Sequence, residues 1–95
     1  MKEKTITDQI LKYLKAQRCF AFKEHGGMYS TAGIPDIICC YKGKFVAFEV
    51  KTEHGKLSNL QEVIIERIRQ AGGVAFKVTS IQEVKDILEK VLQEK

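Results

Sequence analysis

Three ionisable residues stand around one short turn of this 95-residue chain. Asp36 opens one apolar run, while Glu49 and Lys51 close the next, and Lys42-Gly43 between the runs is typical of a two-residue hairpin turn. Counting back from this turn along both strands places Asp36 directly opposite Glu49. Side chains alternate along a strand, so Lys51 shares the face of Glu49. The sequence therefore predicts two carboxylates and one ammonium group on one face of a hairpin.

Such a group of residues could hydrolyse a phosphodiester. Two carboxylates roughly 5 Å apart at Cβ repel each other unless a cation lies between them. Because carboxylate oxygens converge without Cys or His, we expect Mg²⁺ or Mn²⁺ rather than zinc, with the carbonyl of Val50 as a further ligand. The ion would polarise the phosphate and activate water, and Lys51 would orient that water or stabilise the transition state. The tripeptide Glu49-Val50-Lys51 alone is weak support, since it is common as a solvated charge pair.

Hydrophobic periodicity predicts the elements that must position these residues. Helices are expected over 3–17, from Ser58 to Ala71, and from Ser80 onwards, where Glu83 completes a possible capping box. Strands are expected over 19–23, 36–41, 44–51 and 74–78. The predicted order is α-β-β-β-α-β-α. The second helix should bury Leu60, Ile64, Ile68 and Ala71, and the glycine-rich segment 25–33 is a candidate substrate flap.

Composition narrows the class of protein. The 16 Lys and Arg exceed the 12 Asp and Glu, giving a net charge of +4, which favours a polyanionic partner or is merely a soluble basic surface. We expect residues 1–95 to form one domain, marginal alone and therefore homodimeric. Since the sequence has neither a long apolar run nor a secretion signal, we expect a cytoplasmic protein of bacteria or of phage-infected cells. Cys19, Cys39 and Cys40 are expected to be reduced and mostly in the core.

Two longer motifs carry a resemblance to a known family. Gly33-Ile34-Pro35-Asp36, an apolar run, a turn and then Phe45 to Lys51 resemble the arrangement of the PD-(D/E)XK nucleases. Over nearly its whole length the chain is similar to one branch, the VRR-NUC domain family. Further matches are Glu3-Lys4 at the first helix, Leu57-Ser58 with Gln61, and Gly72-Gly73 before the last strand.

The resemblance implies an α/β, restriction-endonuclease-like fold with an αβββαβ core, a mixed central sheet flanked by helices, and a C-terminal helix. It also implies a metal-dependent endonuclease related to Holliday-junction resolvases, in which stand-alone members are dimers. Asp36 and Glu49 become metal ligands, Lys51 the catalytic lysine, and Gln61 a fourth-motif residue beside the site. An alternative for Gln61 is a capping box with Ser58 at the start of the second helix.

The first helix departs from the family pattern. Related sequences often carry Gln or Glu at the position of Thr7, one turn after the first glutamate. Glu3 is therefore the expected first-helix acid, because it falls on the stripe of Ile6 and Ile10 that faces the sheet. A glutamate that only favours the helix dipole is the alternative.

The expected substrate is DNA. Residues that could form a phosphate-binding rim, or simply ordinary surface, are Lys23, His25, Tyr29, Ser30, His54 and Lys56. Because no base-reading module fits in the remaining length, we expect a homodimeric, Mg²⁺-dependent endonuclease selective for branched DNA such as Holliday junctions. The alternative is a non-catalytic DNA-binding or scaffold module, in which the carboxylates only pair with Lys51.

Overall fold

The computed structural model describes residues 1–25 and 31–93. Its helices and strands are α1 (Glu3–Ala16), β1 (Phe20–Lys23), β2 (Ile37–Tyr41), β3 (Lys44–Val50), α2 (Asn59–Gln70), β4 (Val74–Val78) and α3 (Ile81–Gln93). The order predicted from periodicity is confirmed, with predicted boundaries that differ by at most one residue. No helix in the two described stretches is long and apolar enough to cross a membrane.

The four strands form one mixed sheet in the order β1-β2-β3-β4. The first three strands are antiparallel, and β4 runs parallel to β3. The predicted fold class is therefore confirmed. At the β2–β3 turn, Lys42 and Gly43 both have positive φ, of 52° and 80°, which is the geometry of a type I′ hairpin turn. Tyr41 pairs with Lys44 as the turn predicts.

One face of the sheet packs against α1 and α3. Alternate residues of β3 point to this side and are fully buried: Val46, Phe48 and Val50. They meet the buried residues of the two helices, which are Ile6, Ile10 and Leu14 of α1 and Val84 and Leu88 of α3. The stripe of Ile6 and Ile10 predicted for α1 is confirmed. Because one side of β3 is anchored in this core, the intervening residues must point to the other side.

The second face is only partly covered, by α2. Ile65 of α2 packs with Ala47 and Ala75 of the sheet. The stripe predicted for α2 is partly wrong, because Leu60 and Ala71 are exposed whereas Ile65 is buried. Through Ile65 the helix lies over β3 and β4, so its buried side differs from the one that a simple apolar count selects.

The rest of this second face carries exposed apolar side chains. We call this surface the open face; it consists of Phe20, Phe22, Cys40 and Phe45, which share one side of β1, β2 and β3 by register. Cys39 points to the opposite side and is buried. The expectation that the cysteines lie mostly in the core is therefore wrong for Cys40, since α2 does not extend over β1 and β2.

The start of α3 differs in detail from the predicted capping box. Ser80 Oγ accepts a hydrogen bond from the backbone N–H of Glu83, as predicted. The Glu83 carboxylate, however, accepts from the backbone N–H and the hydroxyl of Thr79 rather than from the Ser80 N–H. Two side chains therefore still accept hydrogen bonds from backbone N–H groups at the helix start. The N–H that Glu83 binds belongs to Thr79, one residue earlier than the motif predicts.

Two glycines with positive φ provide a matched test of the packing between α2 and the segment before β2. A Cβ at Gly33 (φ 83°) would lie 2.8 Å from Leu60 Cγ, whereas one at Gly43 (φ 80°) meets no atom within 4 Å. We expect Gly33→Ala to lower the free energy of unfolding by about 2–4 kcal/mol, since left-handed strain adds to overpacking. Gly43→Ala should cost only about 1–2 kcal/mol. Urea denaturation measures both, and equal losses would contradict this packing.

Candidate active site

The hairpin brings two carboxyl groups together at one end of the sheet. Ile37 pairs with Phe48, so the register places Asp36 and Glu49 as the next opposed residues. Asp36 Oδ2 accepts a hydrogen bond from the backbone N–H of Val50 at 2.9 Å, which fixes the carboxylate against β3. The Asp36 carbonyl accepts from the Glu24 N–H at 2.7 Å, which continues the β1–β2 pairing. Asp36 is thus held between both neighbouring strands.

Glu49 is a buried acid with an altered proton affinity. Only 3% of the residue is exposed. Burial, a hydrogen bond with Asp36 and the negative charge of Asp36 together raise the pKa of Glu49 to about 8, although the Lys51 ammonium group acts in the opposite direction. We call Asp36 and Glu49 the acid pair: two opposed carboxyl groups, of which Glu49 is buried and has a raised pKa.

Lys51 completes the group from the end of β3. Its Nζ lies 3.7 Å from Glu49 Oε2, and its side chain is 17% exposed. The Lys51 backbone N–H donates to the Val78 carbonyl at 3.0 Å, so the β3–β4 pairing continues to this position. The structure therefore brings together the three residues that the sequence singled out.

The acid pair has the donor chemistry of a site for a hard divalent cation. The negative charge of two neighbouring carboxylates favours a bound proton. The same charge stabilises a divalent cation at that position. Within residues 1–25 and 31–93 no group of three or more His, Cys, Asp or Glu side chains is arranged to hold a metal. Mg²⁺ needs no such group, because one or two carboxylates with water and substrate phosphate suffice. The residues present therefore fit Mg²⁺ or Mn²⁺ better than zinc.

Glu3 lies near this site without entering it. The residue is exposed in the first turn of α1, yet its charge contributes to the raised pKa of Glu49. Thr7, one turn later, is buried with only 4% exposed. The position where related sequences carry an acid or amide thus faces the interior here. A role of Glu3 at the site therefore stays a prediction, and a favourable effect on the helix dipole is the alternative.

Gln61 takes part in the capping box at the start of α2. Its Oε1 accepts from the Ser58 N–H at 2.9 Å, and its own N–H donates to Ser58 Oγ at 3.1 Å. The capping box, which is the alternative interpretation of Gln61, is therefore present with both of its hydrogen bonds. A contribution of Gln61 to catalysis stays a prediction.

The expected DNA-contact residues are spread more widely. Lys23 pairs with the core residue Ile37, so its side chain starts from the face opposite to Asp36. His25, His54 and Lys56 are exposed, the last two in the loop after Lys51. Tyr29 and Ser30, with most of the predicted flap, lie outside the described residues.

The acid pair is not enclosed in either of two sizeable hollows. One, of about 420 Å³, lies between β4 and α3 and includes Phe76 and Val91 in its lining. The other, of about 400 Å³, lies between Phe45 and α2.

One residue near the site was not singled out from the sequence. Lys77 of β4 pairs with Glu49 across the parallel ladder and therefore lies on the same face. No turn joins β3 to β4, so the sequence does not fix this register. The alternation of side chains along β4 predicts that Lys77 shares the face of Ala75. It does not predict that Lys77 lies opposite Glu49.

The raised pKa of Glu49 predicts how stability depends on pH without metal. Between about pH 4.5 and pH 8 the folded state binds more protons than the unfolded state, so the free energy of unfolding should fall as pH rises through this window. Glu49→Gln should remove most of this slope and stabilise the protein at pH 8. Denaturation at several pH values in EDTA measures the slope. The control Glu53→Gln changes an exposed acid of the same region and should keep it; an unchanged slope in Glu49→Gln would contradict the buried acid pair.

Comparisons with known proteins agree with this architecture. No family model matches the chain, and no curated protein matches it. A solved structure of a "VRR_NUC domain" superposes with a TM-score of 0.78 at 25% identity, covering 92% of this chain and 94% of the other. A "VRR_NUC domain protein" superposes with the same TM-score at 18% identity, covering 98% of this chain and 89% of the other. The second likeness concerns the fold alone. Together they support a VRR-NUC domain, and the resemblance that the motifs predicted is confirmed.

Proposed function

We propose that this chain is a metal-dependent endonuclease that hydrolyses DNA phosphodiester bonds. The VRR-NUC likeness supports a nuclease-like domain. The observation that carries the finer proposal is the acid pair, with Lys51 Nζ 3.7 Å from Glu49 on the same side of the hairpin. Asp36 and Glu49 are the metal ligands in this proposal, the Val50 carbonyl is a further candidate, and Lys51 is the catalytic lysine.

In this proposal each side chain has a distinct task. When bound, Mg²⁺ or Mn²⁺ supplies Lewis-acid polarisation of the phosphate and lowers the pKa of a water. The Val50 N–H engages one oxygen of Asp36, which orients the carboxylate and leaves its second oxygen for a ligand. Glu49 would hold the ion as a carboxylate, and its proton would pass to the solvent. Lys51 donates to the attacking water or to a phosphate oxygen, where negative charge develops in the transition state.

The proposed substrate is branched DNA, including Holliday junctions. The chain carries a net charge of +4, which suits contacts to phosphates. The described helices and strands all belong to the sheet and its three flanking helices. None of them forms a separate module for reading base edges. Recognition would then depend on the shape of the DNA and on contacts such as His54 and Lys56.

Substitutions at the site test the catalytic proposal. We expect Asp36→Asn, Glu49→Gln and Lys51→Ala each to lower kcat by at least about 100-fold, since each removes a group that acts on the transition state. DNA binding in Ca²⁺ should survive, as should the activity of the control Glu53→Gln. Cleavage of a labelled four-way junction in Mg²⁺ measures the effect. Full activity in all three variants would remove the proposed mechanism.

A panel of DNA structures separates an enzyme from a scaffold. Four-way junction, flap, nicked and linear DNA are incubated with Mg²⁺, Mn²⁺ or EDTA. The proposal expects cleavage with either metal, none in EDTA, and preference for the junction. Tight binding without cleavage in any metal would favour the alternative of a non-catalytic DNA-binding module, whereas equal cleavage of all forms would exclude selectivity for branched DNA.

We also propose that the protein is a homodimer through the open face. Phe20 is 73% exposed, Phe45 47% and Phe22 40%, and none of the four residues of this face is charged. Two basic chains can therefore meet here without burying like charges. A chain of 95 residues also gains stability from the extra apolar burial. A dimer would present two sites to two strands.

The oligomeric state tests this interface. Sedimentation velocity should show a dimer for the wild type, and Phe20→Glu should raise the dimer dissociation constant at least about 30-fold, because a charge would be buried in the interface. Leu92→Glu introduces the same charge at an exposed apolar residue of α3 and should leave the dimer intact. A monomeric wild type, or equal effects of both variants, would contradict the proposed interface.

A further inference from the structure

Lys77 stands beside the acid pair but points its ammonium group elsewhere. It pairs with Glu49 across the β3–β4 ladder, one alternation beyond the buried pair Ala47 and Ala75. Its Nζ donates a hydrogen bond to the Gly55 carbonyl at 3.1 Å. The last strand of the sheet is therefore tied to the loop that follows Lys51.

Gly55 in turn lies directly against Lys51. A Cβ added at Gly55 would be 3.0 Å from Lys51 Cβ and 3.3 Å from the Thr52 carbonyl oxygen, so a larger residue does not fit without movement. The Gly55 N–H donates to the same Thr52 carbonyl at 2.9 Å, which closes a tight turn. The backbone of this turn thus forms one wall of the space that the Lys51 side chain occupies.

We infer that Lys77 is a positioning residue for Lys51. Through the Gly55 carbonyl it holds the turn 52–55 against the Lys51 stem, so that the ammonium group stays beside Glu49. The inference rests on the proposed catalytic function of Lys51. Two hydrogen bonds fix the start of this segment: the Lys51 N–H donates to the Val78 carbonyl, and the Val50 N–H donates to the Asp36 carboxylate. Lys77 fixes its far side.

If the contact between Lys77 and Gly55 served only to stabilise the fold, its loss would lower the free energy of unfolding. Lys77 is exposed and its hydrogen bond reaches a surface loop rather than the core, and substitutions at such surface positions change the free energy of unfolding little. Its removal should therefore leave the fold intact. A displacement of Lys51 by even about 1 Å, in contrast, is large on the scale of catalytic geometry.

Kinetics of three variants test the inference in the presence of Mg²⁺. We expect Lys77→Met to lower kcat about 10- to 100-fold with KM for the junction nearly unchanged. Lys77→Arg, which can still donate to Gly55, should recover most of the rate. The control Lys90→Met removes an exposed lysine of α3 and should match the wild type, and the Tm of all three should stay within about 3 °C of it. Equal kcat in Lys77→Met and wild type would overturn the inference.

A second substitution tests the coupling through Gly55. Gly55→Ala should also lower kcat, because its Cβ pushes against Lys51. If both residues act on Lys51 through one turn, the loss in the double variant with Lys77→Met should be smaller than the product of the single losses. Strictly multiplicative losses would mean that Lys77 acts independently of this turn, which contradicts the proposed route.

Side-chain NMR gives a readout that needs no activity. In protein labelled with ¹³C at lysine Cε, relaxation of the Lys51 signal, assigned with Lys51→Arg, should show restricted motion in the wild type and greater motion in Lys77→Met. If the wild type cleaved no DNA, the proposed function would fail while this comparison still tested the role of Lys77. Identical Lys51 relaxation in both proteins would overturn the positioning role.

Discussion

The contact between the Asp36 and Glu49 carboxyls is the constraint on which the rest of the site depends. Like charges that share a buried position oppose folding unless a proton or a cation lies with them. The type I′ turn at Lys42-Gly43 enforces this contact, because its two-residue length fixes which residues of β2 and β3 face each other. In the proposed function, a divalent cation offsets this repulsion.

The remaining elements keep this contact at an accessible end of the sheet. Val46, Phe48 and Val50 anchor β3 in the core beneath α1 and α3, which turns Glu49 and Lys51 toward the opposite side. There α2 covers only part of the sheet, mainly over β3 and β4. The same incomplete cover accounts for the open face on β1, β2 and the start of β3. The accessibility of the acid pair and the exposure of the open face thus have one cause, the limited cover by α2.

The sequence predicts those features of the fold and the site that depend on neighbouring residues. It does not predict those that depend on contacts between distant segments. The hairpin and its acid pair depend on a turn and on alternation within one short segment, and both were predicted residue by residue. The position of Lys77 depends on a parallel register set across the whole β3-α2-β4 connection, which no local pattern encodes. The exposure of Cys40 and the burial of Ile65 depend on where α2 rests on the sheet. The motif around Gln61 allows two interpretations, a residue beside the active site and a capping box with Ser58. The hydrogen bonds of the capping box are present in the structure.

A bound ion located by anomalous scattering tests the central claim most directly. Crystals grown with Mn²⁺ and measured for its anomalous signal should show one peak between the acid pair, within about 2.5 Å of a carboxylate oxygen from Asp36 and from Glu49. The same peak should be absent in crystals of Asp36→Asn. A fully occupied Mn²⁺ elsewhere, with the two carboxyls still sharing a proton, would contradict the view that this pair exists to hold a metal.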